Sequence, residues 1–166
     1  GVQSCALPIF SPKDVICIPL IDEKGEAYFS LSQEVELWKE MERLLRNKEV
    51  TKIGQNLMFD SSFILRKYGI LIEPMEDTMI ASGVLLPDLP KGLDFLTSIY
   101  TKEPYYKEEG KQHIKADTNS DRFYLYSAKD SAVLLEIFPK QKEELEEQGN
   151  WKTYERQRNI MPEIGR

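Results

Sequence analysis

Two short segments hold the residue types best suited to chemistry. In Gly54-Gln55-Asn56-Leu57-Met58-Phe59-Asp60, an amide (Asn56) and a carboxylate (Asp60) stand four residues apart, just after the strand-like run Thr51–Asn56. Ligands of open α/β sheets gather beyond the carboxyl ends of strands, where this pair falls. Taken alone, the pair reads first as a turn residue and a first-turn acid favoured by the helix dipole. In Tyr126-Ser127-Ala128-Lys129-Asp130 the phenol and the carboxylate are i and i+4 and share one helix face. A phenol beside a carboxylate can orient a water while the carboxylate holds a divalent metal. Taken alone, this pair reads first as a half-buried tyrosine and a solvated aspartate.

The elements that must position these groups follow from pattern. Asp14–Ile21 is a β-branched run closed by the turn cluster Asp22-Glu23-Lys24-Gly25, and Ala27–Leu31 is a second extended run, so a hairpin is expected. Ser30 and Gln33 have capping-box spacing, and Val35, Trp38, Met41, Leu44 and Leu45 recur at helical intervals after them. A strand at Thr51–Asn56 leads into a helix from Phe59 to Tyr68, stopped by Gly69. Asp77–Leu86 and Gly92–Tyr100 read as helices, with Asp77 a structural cap. Lys102–Asn119 reads as an exposed polar loop that holds the only histidine, His113, as a solvated residue. One helix is expected from Asp121 toward Gln148, kinked at Pro139, and another from Trp151. The acidic run Glu143–Glu147 is a solvated face. Strands first and strand–helix pairs after them give an α/β or α+β class.

Composition narrows the functions. The 166 residues fit one domain, and a chain of this length buries roughly 68–70% of its unfolded surface without disulfides. Two cysteines, Cys5 and Cys17, make neither a disulfide framework nor a zinc site, and a reduced cytosolic setting is the simpler reading. No apolar run approaches the roughly 20 residues of a membrane span, so no membrane partner is expected. A net charge of -6 argues against a passive nucleic-acid binder, but it suits an enzyme that holds cations with carboxylates.

Taken as an ordered set, Gln-Asn-x-x-Phe-Asp after a strand and Tyr-x-x-x-Asp on a helix about 70 residues later resemble the second and third motifs of the DEDDy branch of the DnaQ-like 3′–5′ exonucleases. Lys52–Gly69, Asp77–Ser82 and Lys91–Leu96 are similar to the proofreading domain of family-A DNA polymerases of phage or bacterial type. The resemblance covers roughly residues 11 to 162. It implies a ribonuclease H-like α/β fold, a mixed sheet flanked by helices. It also implies hydrolysis with two divalent ions, Mg2+ or Mn2+, acting on a frayed single-stranded DNA 3′ end. Asp60 and Asp130 would serve the metals and Tyr126 would orient the attacking water. Gln55, Asn56 and Phe59 would hold the terminal nucleotides.

The resembling family also carries Asp-x-Glu on its central strand. None of the nine aspartates here is followed two places later by glutamate. The central strand is therefore expected to be missing, with hydrolysis weak or lost and neighbouring strand edges exposed. The ends suggest a cause. Ala6–Ile9 can be encoded by GCTCTTCCGATC and Ile164–Arg166 by ATCGGAAGA, the reverse complement of part of the first. A translated library adapter at both ends is the expectation. On this reading residues 1–10 are a non-native leader that is not an evolved strand, 11–150 an incomplete exonuclease domain, and 151–166 the start of a linker helix toward a polymerase domain in the same parent chain. That parent would work in the cytoplasm of a bacterial cell or a phage-infected host. Two rivals stand beside this: a stand-alone exoribonuclease of the ribonuclease D type, and a non-catalytic module that binds DNA ends or braces a polymerase.

Overall fold

The structure, a computed structural model, describes residues 4–11, 13–103 and 120–164. In chain order the elements are β1 (Ser4–Ser11), β2 (Asp14–Pro19), α1 (Leu31–Leu45), β3 (Lys52–Gly54), α2 (Leu57–Tyr68), β4 (Met75–Asp77), α3 (Thr78–Leu85), α4 (Leu93–Tyr100), α5 (Ser120–Ala132), α6 (Leu134–Glu147) and α7 (Trp151–Ile164). Most of the loop expected at Lys102–Asn119, with His113, lies outside the described residues. Among those that are described, no helix is long and apolar enough to cross a membrane.

The α/β class stands, with both strand polarities of a mixed sheet, but they occupy two separate ladders. β1 pairs antiparallel with β2, and β3 pairs parallel with β4. No strand joins the two ladders among the described residues. The expected hairpin shrinks to a single bridge, Ile21 to Ala27, closed by the Asp22 turn. β2 takes β1 as its partner instead, so the segment expected to be a leader holds a place in a sheet. The ladder loses register between Pro8 and Ser11. Pro8 has no N–H to donate there.

Three apolar clusters hold the helices. Met41 and Leu45 of α1 meet Ile70 and Ile72, and Trp38 stacks on Tyr68 with ring centroids 3.8 Å apart. Ala81, Leu85, Phe138, Leu145 and Tyr154 join α3, α6 and α7. Leu93, Leu96, Tyr100, Val133, Leu134 and Ile137 join α4 to α6. Ile53 of the short strand β3 packs against both of the last two clusters, which fixes the strand leading into Gln55.

Two helices depart from the sequence reading. The helix expected from Asp121 to Gln148 breaks at Val133, six residues before Pro139. The Val133 carbonyl there accepts the N–H groups of both Glu136 (3.1 Å) and Ile137 (2.9 Å). Pro139 lies inside α6 and lacks an N–H, so one intrahelical hydrogen bond is missing there while the helix continues. α7, expected to begin a linker, is part of the core in its first turns, because Tyr154 is 0% exposed.

Candidate active site

The site is built at the carboxyl ends of β3 and β4. Their parallel register sets Gly54 beside Asp77. A Cβ on Gly54 would lie 2.8 Å from Leu57 Cβ, so only glycine lets the chain turn this tightly into α2. Asn56 makes that turn in the left-handed region, at φ 56° and ψ 43°, and its side chain makes no capping bond. Asparagine tolerates this region better than most residues.

The N-terminus of α2 is held from across the sheet. Asp77 Oδ1 accepts the Asn56 amide (3.1 Å) and Oδ2 accepts the Leu57 amide (2.6 Å). Oδ1 also accepts Met79 N–H (2.8 Å) and Ile80 N–H (3.3 Å), capping α3. One carboxylate, 1% exposed, thus anchors the starts of two helices. Burial raises its pKa above the ordinary carboxylate value, and the four amide donors work against that rise. The sequence reading of Asp77 as a cap was correct but covered half of the role. A short parallel strand at Met75–Asp77 was the signal it lacked.

With its backbone anchored, the first turn of α2 turns its polar and aromatic groups outward. Asn56 and Asp60 are exposed, and Phe59 is 71% exposed. The Asp60 carboxyl is pushed up, first by the surrounding protein that displaces water and then by the negative charge of Asp77. Gln55 is placed differently from its neighbours. Its Nε2 donates to the Lys91 carbonyl (2.7 Å), and its Oε1 accepts the Thr78 hydroxyl. Both ends of this amide therefore brace the Lys91 loop and α3.

Tyr126 and Asp130 are half-buried on α5, one turn apart, and each is engaged with the surrounding protein. Tyr126 packs on the cluster of Leu93, Leu96, Tyr100, Val133, Leu134 and Ile137, which Ile53 also touches. The strand that leads into the first segment and the tyrosine of the second therefore pack on one apolar cluster. Asp60 and Asp130 are the carboxylates that would face a metal. Among the described residues, no group of three or more His, Cys, Asp or Glu side chains lies close enough to hold one. Two carboxylates fall short of a two-ion site, so no step through a metal is derived for these residues alone.

Comparisons with known proteins bear on the family and the fold. A family model described as 3′–5′ exonuclease matches residues 6–146. Brucella melitensis NrnC has a similar structure, with a TM-score of 0.66 and 23% identity over 75% of this chain and 61% of NrnC. NrnC structures with bound Mg2+ and bound to pGG match with TM-scores of 0.61 and 0.60. A structure described as the apo form of the nuclease matches at 0.71, with 18% identity over 92% of this chain and 69% of that one. At these identities the likeness is one of fold. The chain spans about three fifths of the length of NrnC. No curated protein is similar enough to match.

Proposed function

Because this chain belongs to the 3′–5′ exonuclease family, we propose that its Asn56–Asp60 turn and its Tyr126–Asp130 face receive the 3′ end of a single-stranded nucleic acid. The observation that carries this reading is the outward first turn of α2, where an exposed Phe59 adjoins the Asp60 carboxylate on an anchored backbone. An exposed aromatic ring on a rigid turn is a stacking platform for a base. Tyr126, fixed by its packing, would present a hydroxyl to the reacting end. Mg2+ or a similar divalent ion is the proposed cofactor, supported by the Mg2+-bound NrnC structure. Asp60 and Asp130 would contribute to holding it. Turnover on this reading requires two further carboxylates, the role of Asp-x-Glu in the resembling family.

For the substrate we favour a frayed DNA 3′ end and a proofreading role beside a family-A polymerase domain, in the cytoplasm of a bacterium or an infected host. The segments Lys52–Gly69, Asp77–Ser82 and Lys91–Leu96 support it. A second reading, an exoribonuclease, draws support from the fold likeness to NrnC bound to pGG.

Binding of short 5′-labelled DNA and RNA oligonucleotides, with a free or phosphate-blocked 3′ end, tests both readings. We expect tighter binding to free 3′ ends. Phe59→Ala should weaken it about 5- to 100-fold, the size of one lost base stack. DNA preference supports proofreading, and RNA preference supports the exoribonuclease. Equal binding of blocked ends, or an unchanged affinity for Phe59→Ala, overturns the assignment of this turn.

A further inference from the structure

α7 meets β4 through a largely buried polar network rather than through packing alone. The Tyr154 hydroxyl accepts the Asp77 backbone N–H at 3.0 Å and donates to Glu76 Oε2. Arg158 Nη1 closes on Glu76 Oε1 at 2.7 Å, with both side chains less than one fifth exposed. The Arg158 guanidinium also lies over the Tyr154 ring, 5.7 Å from its centroid. From Asp77 the chain of contacts continues to the Asn56 and Leu57 amides. The links between residues are hydrogen bonds, an ion pair and one ring contact, and the terminal link holds a left-handed turn that has no cap of its own.

We propose that α7 positions the Asn56–Asp60 turn through Glu76 and Asp77, which makes Asp77, Tyr154 and Arg158 positioning residues for the 3′-terminal nucleotide. The proposal rests on the reading of that turn as the nucleotide site. A tyrosine kept only for packing would need its ring contacts with Phe138 (6.0 Å) and Trp151 (5.1 Å), which phenylalanine supplies equally. The hydroxyl instead occupies the junction of two neighbouring residues of β4, one reached through its side chain and one through its backbone. Buried networks whose members are satisfied have few alternative arrangements, so a displacement at one end is passed on rather than absorbed. A protein surface or domain that grips α7 would therefore act on the nucleotide turn without touching it.

The test is a set of amide NMR spectra of the chain and its Tyr154→Phe variant, followed by titration with a single-stranded oligonucleotide. We expect Tyr154→Phe to keep its helical circular dichroism while the Asn56 and Leu57 amides shift. Oligonucleotide affinity should fall about 2- to 30-fold, the range for mutations along a coupled network. Shifts confined to Asp77 and the immediate neighbours of Tyr154 overturn the proposal. Should Tyr154→Phe fail to fold, Arg158→Gln leaves the ring and hydroxyl in place and must move the same two amides, with Arg158→Lys returning them toward the starting spectrum. Unmoved Asn56 and Leu57 in Arg158→Gln overturn it equally. If the unaltered chain binds no oligonucleotide, the function reading fails, while the amide shifts still decide the coupling.

Discussion

Two helices of this protein begin in opposite ways. α1 is capped by its own sequence. Ser30 accepts the Gln33 amide at 3.4 Å, and the Gln33 side chain accepts the Ser30 amide at 3.1 Å. α2 has no such device, since the Asn56 side chain caps nothing and the backbone there is left-handed. Its first amides are satisfied by Asp77, about twenty residues later in the chain. A local cap uses the polar side chains at the helix start. A remote one leaves them free, and at α2 the free groups are Asn56, Phe59 and Asp60. The helix start proposed to meet the nucleic acid is the one whose support comes from elsewhere.

Removing the remote support should have the largest effect. Asp77→Ala strips four part-buried amides of their acceptor at two helix starts, and the expected loss is about 3–5 kcal/mol of unfolding free energy. For a domain of this size that is roughly a 10 °C fall in Tm. Amide exchange separates the two helices. The first turns of α2 and α3 should exchange faster, while the first turn of α1 keeps its protection. Uniform loss across all three helices would break the comparison, because it would mean that Asp77 stabilises the domain as a whole and not these two starts.

High pH loosens the same network from its other end. Burial and then the Glu76 carboxylate push the Tyr154 phenol above its ordinary value, and burial and then Glu144 do the same for Tyr100. An acid whose folded pKa is raised keeps its proton after the unfolded chain has lost it. Its contribution is thus complete below pH of about 10 and declines as pH rises past it, by about 1.4 kcal/mol per phenol for each pH unit. Lys52, lowered chiefly by burial, acts in the opposite sense just below that range. Denaturant unfolding between pH 9 and 11, values chosen about the roughly 10 of a free phenol, should show Tyr154→Phe losing stability less steeply than the unaltered chain. Equal slopes would remove Tyr154 from the titrating groups.

The same contrast explains what could be read from the amino-acid order. The α1 capping box, the Gly69 stop after α2 (φ 68°) and the Asp77 cap on α3 each depend on residues within one turn of each other, and all three were legible. The clamp of Asp77 on Asn56 and Leu57 depends on two three-residue strands aligning in parallel; the first falls within the strand expected at Thr51–Asn56, but neither periodicity nor propensity marks the second, Met75–Asp77. The bracing role of Gln55 was hidden for a related reason. Its type suits a nucleotide, but the loop that folds back to offer the Lys91 carbonyl is a tertiary fact. The helix expected as one piece is interrupted at Val133, a residue type that breaks no helix by itself, so the place could not be read from the amino-acid order. Phe59 and Asp60 could be placed on the first turn of a helix from their spacing, whereas their exposure follows from how that turn is held.

The smallest expected effect sharpens the comparison most. Ser30→Ala removes one side-chain acceptor at an exposed helix start and should cost about 1 kcal/mol, with Ser30→Gly costing only a few tenths. That start is exposed, so water takes over the orphaned amide, in contrast to the part-buried amides that the buried Asp77 carboxylate serves. The effect should stay within α1. Exchange should rise at Gln33 and Glu34, the core contacts of Met41 and Leu45 two to three turns away should hold, and oligonucleotide affinity should not change. A change in affinity with Ser30→Ala would tie α1 to the nucleotide turn by a path that none of these contacts supplies. It would also mean that the two helix starts are not independent, and that the local cap serves the site as much as the remote one does.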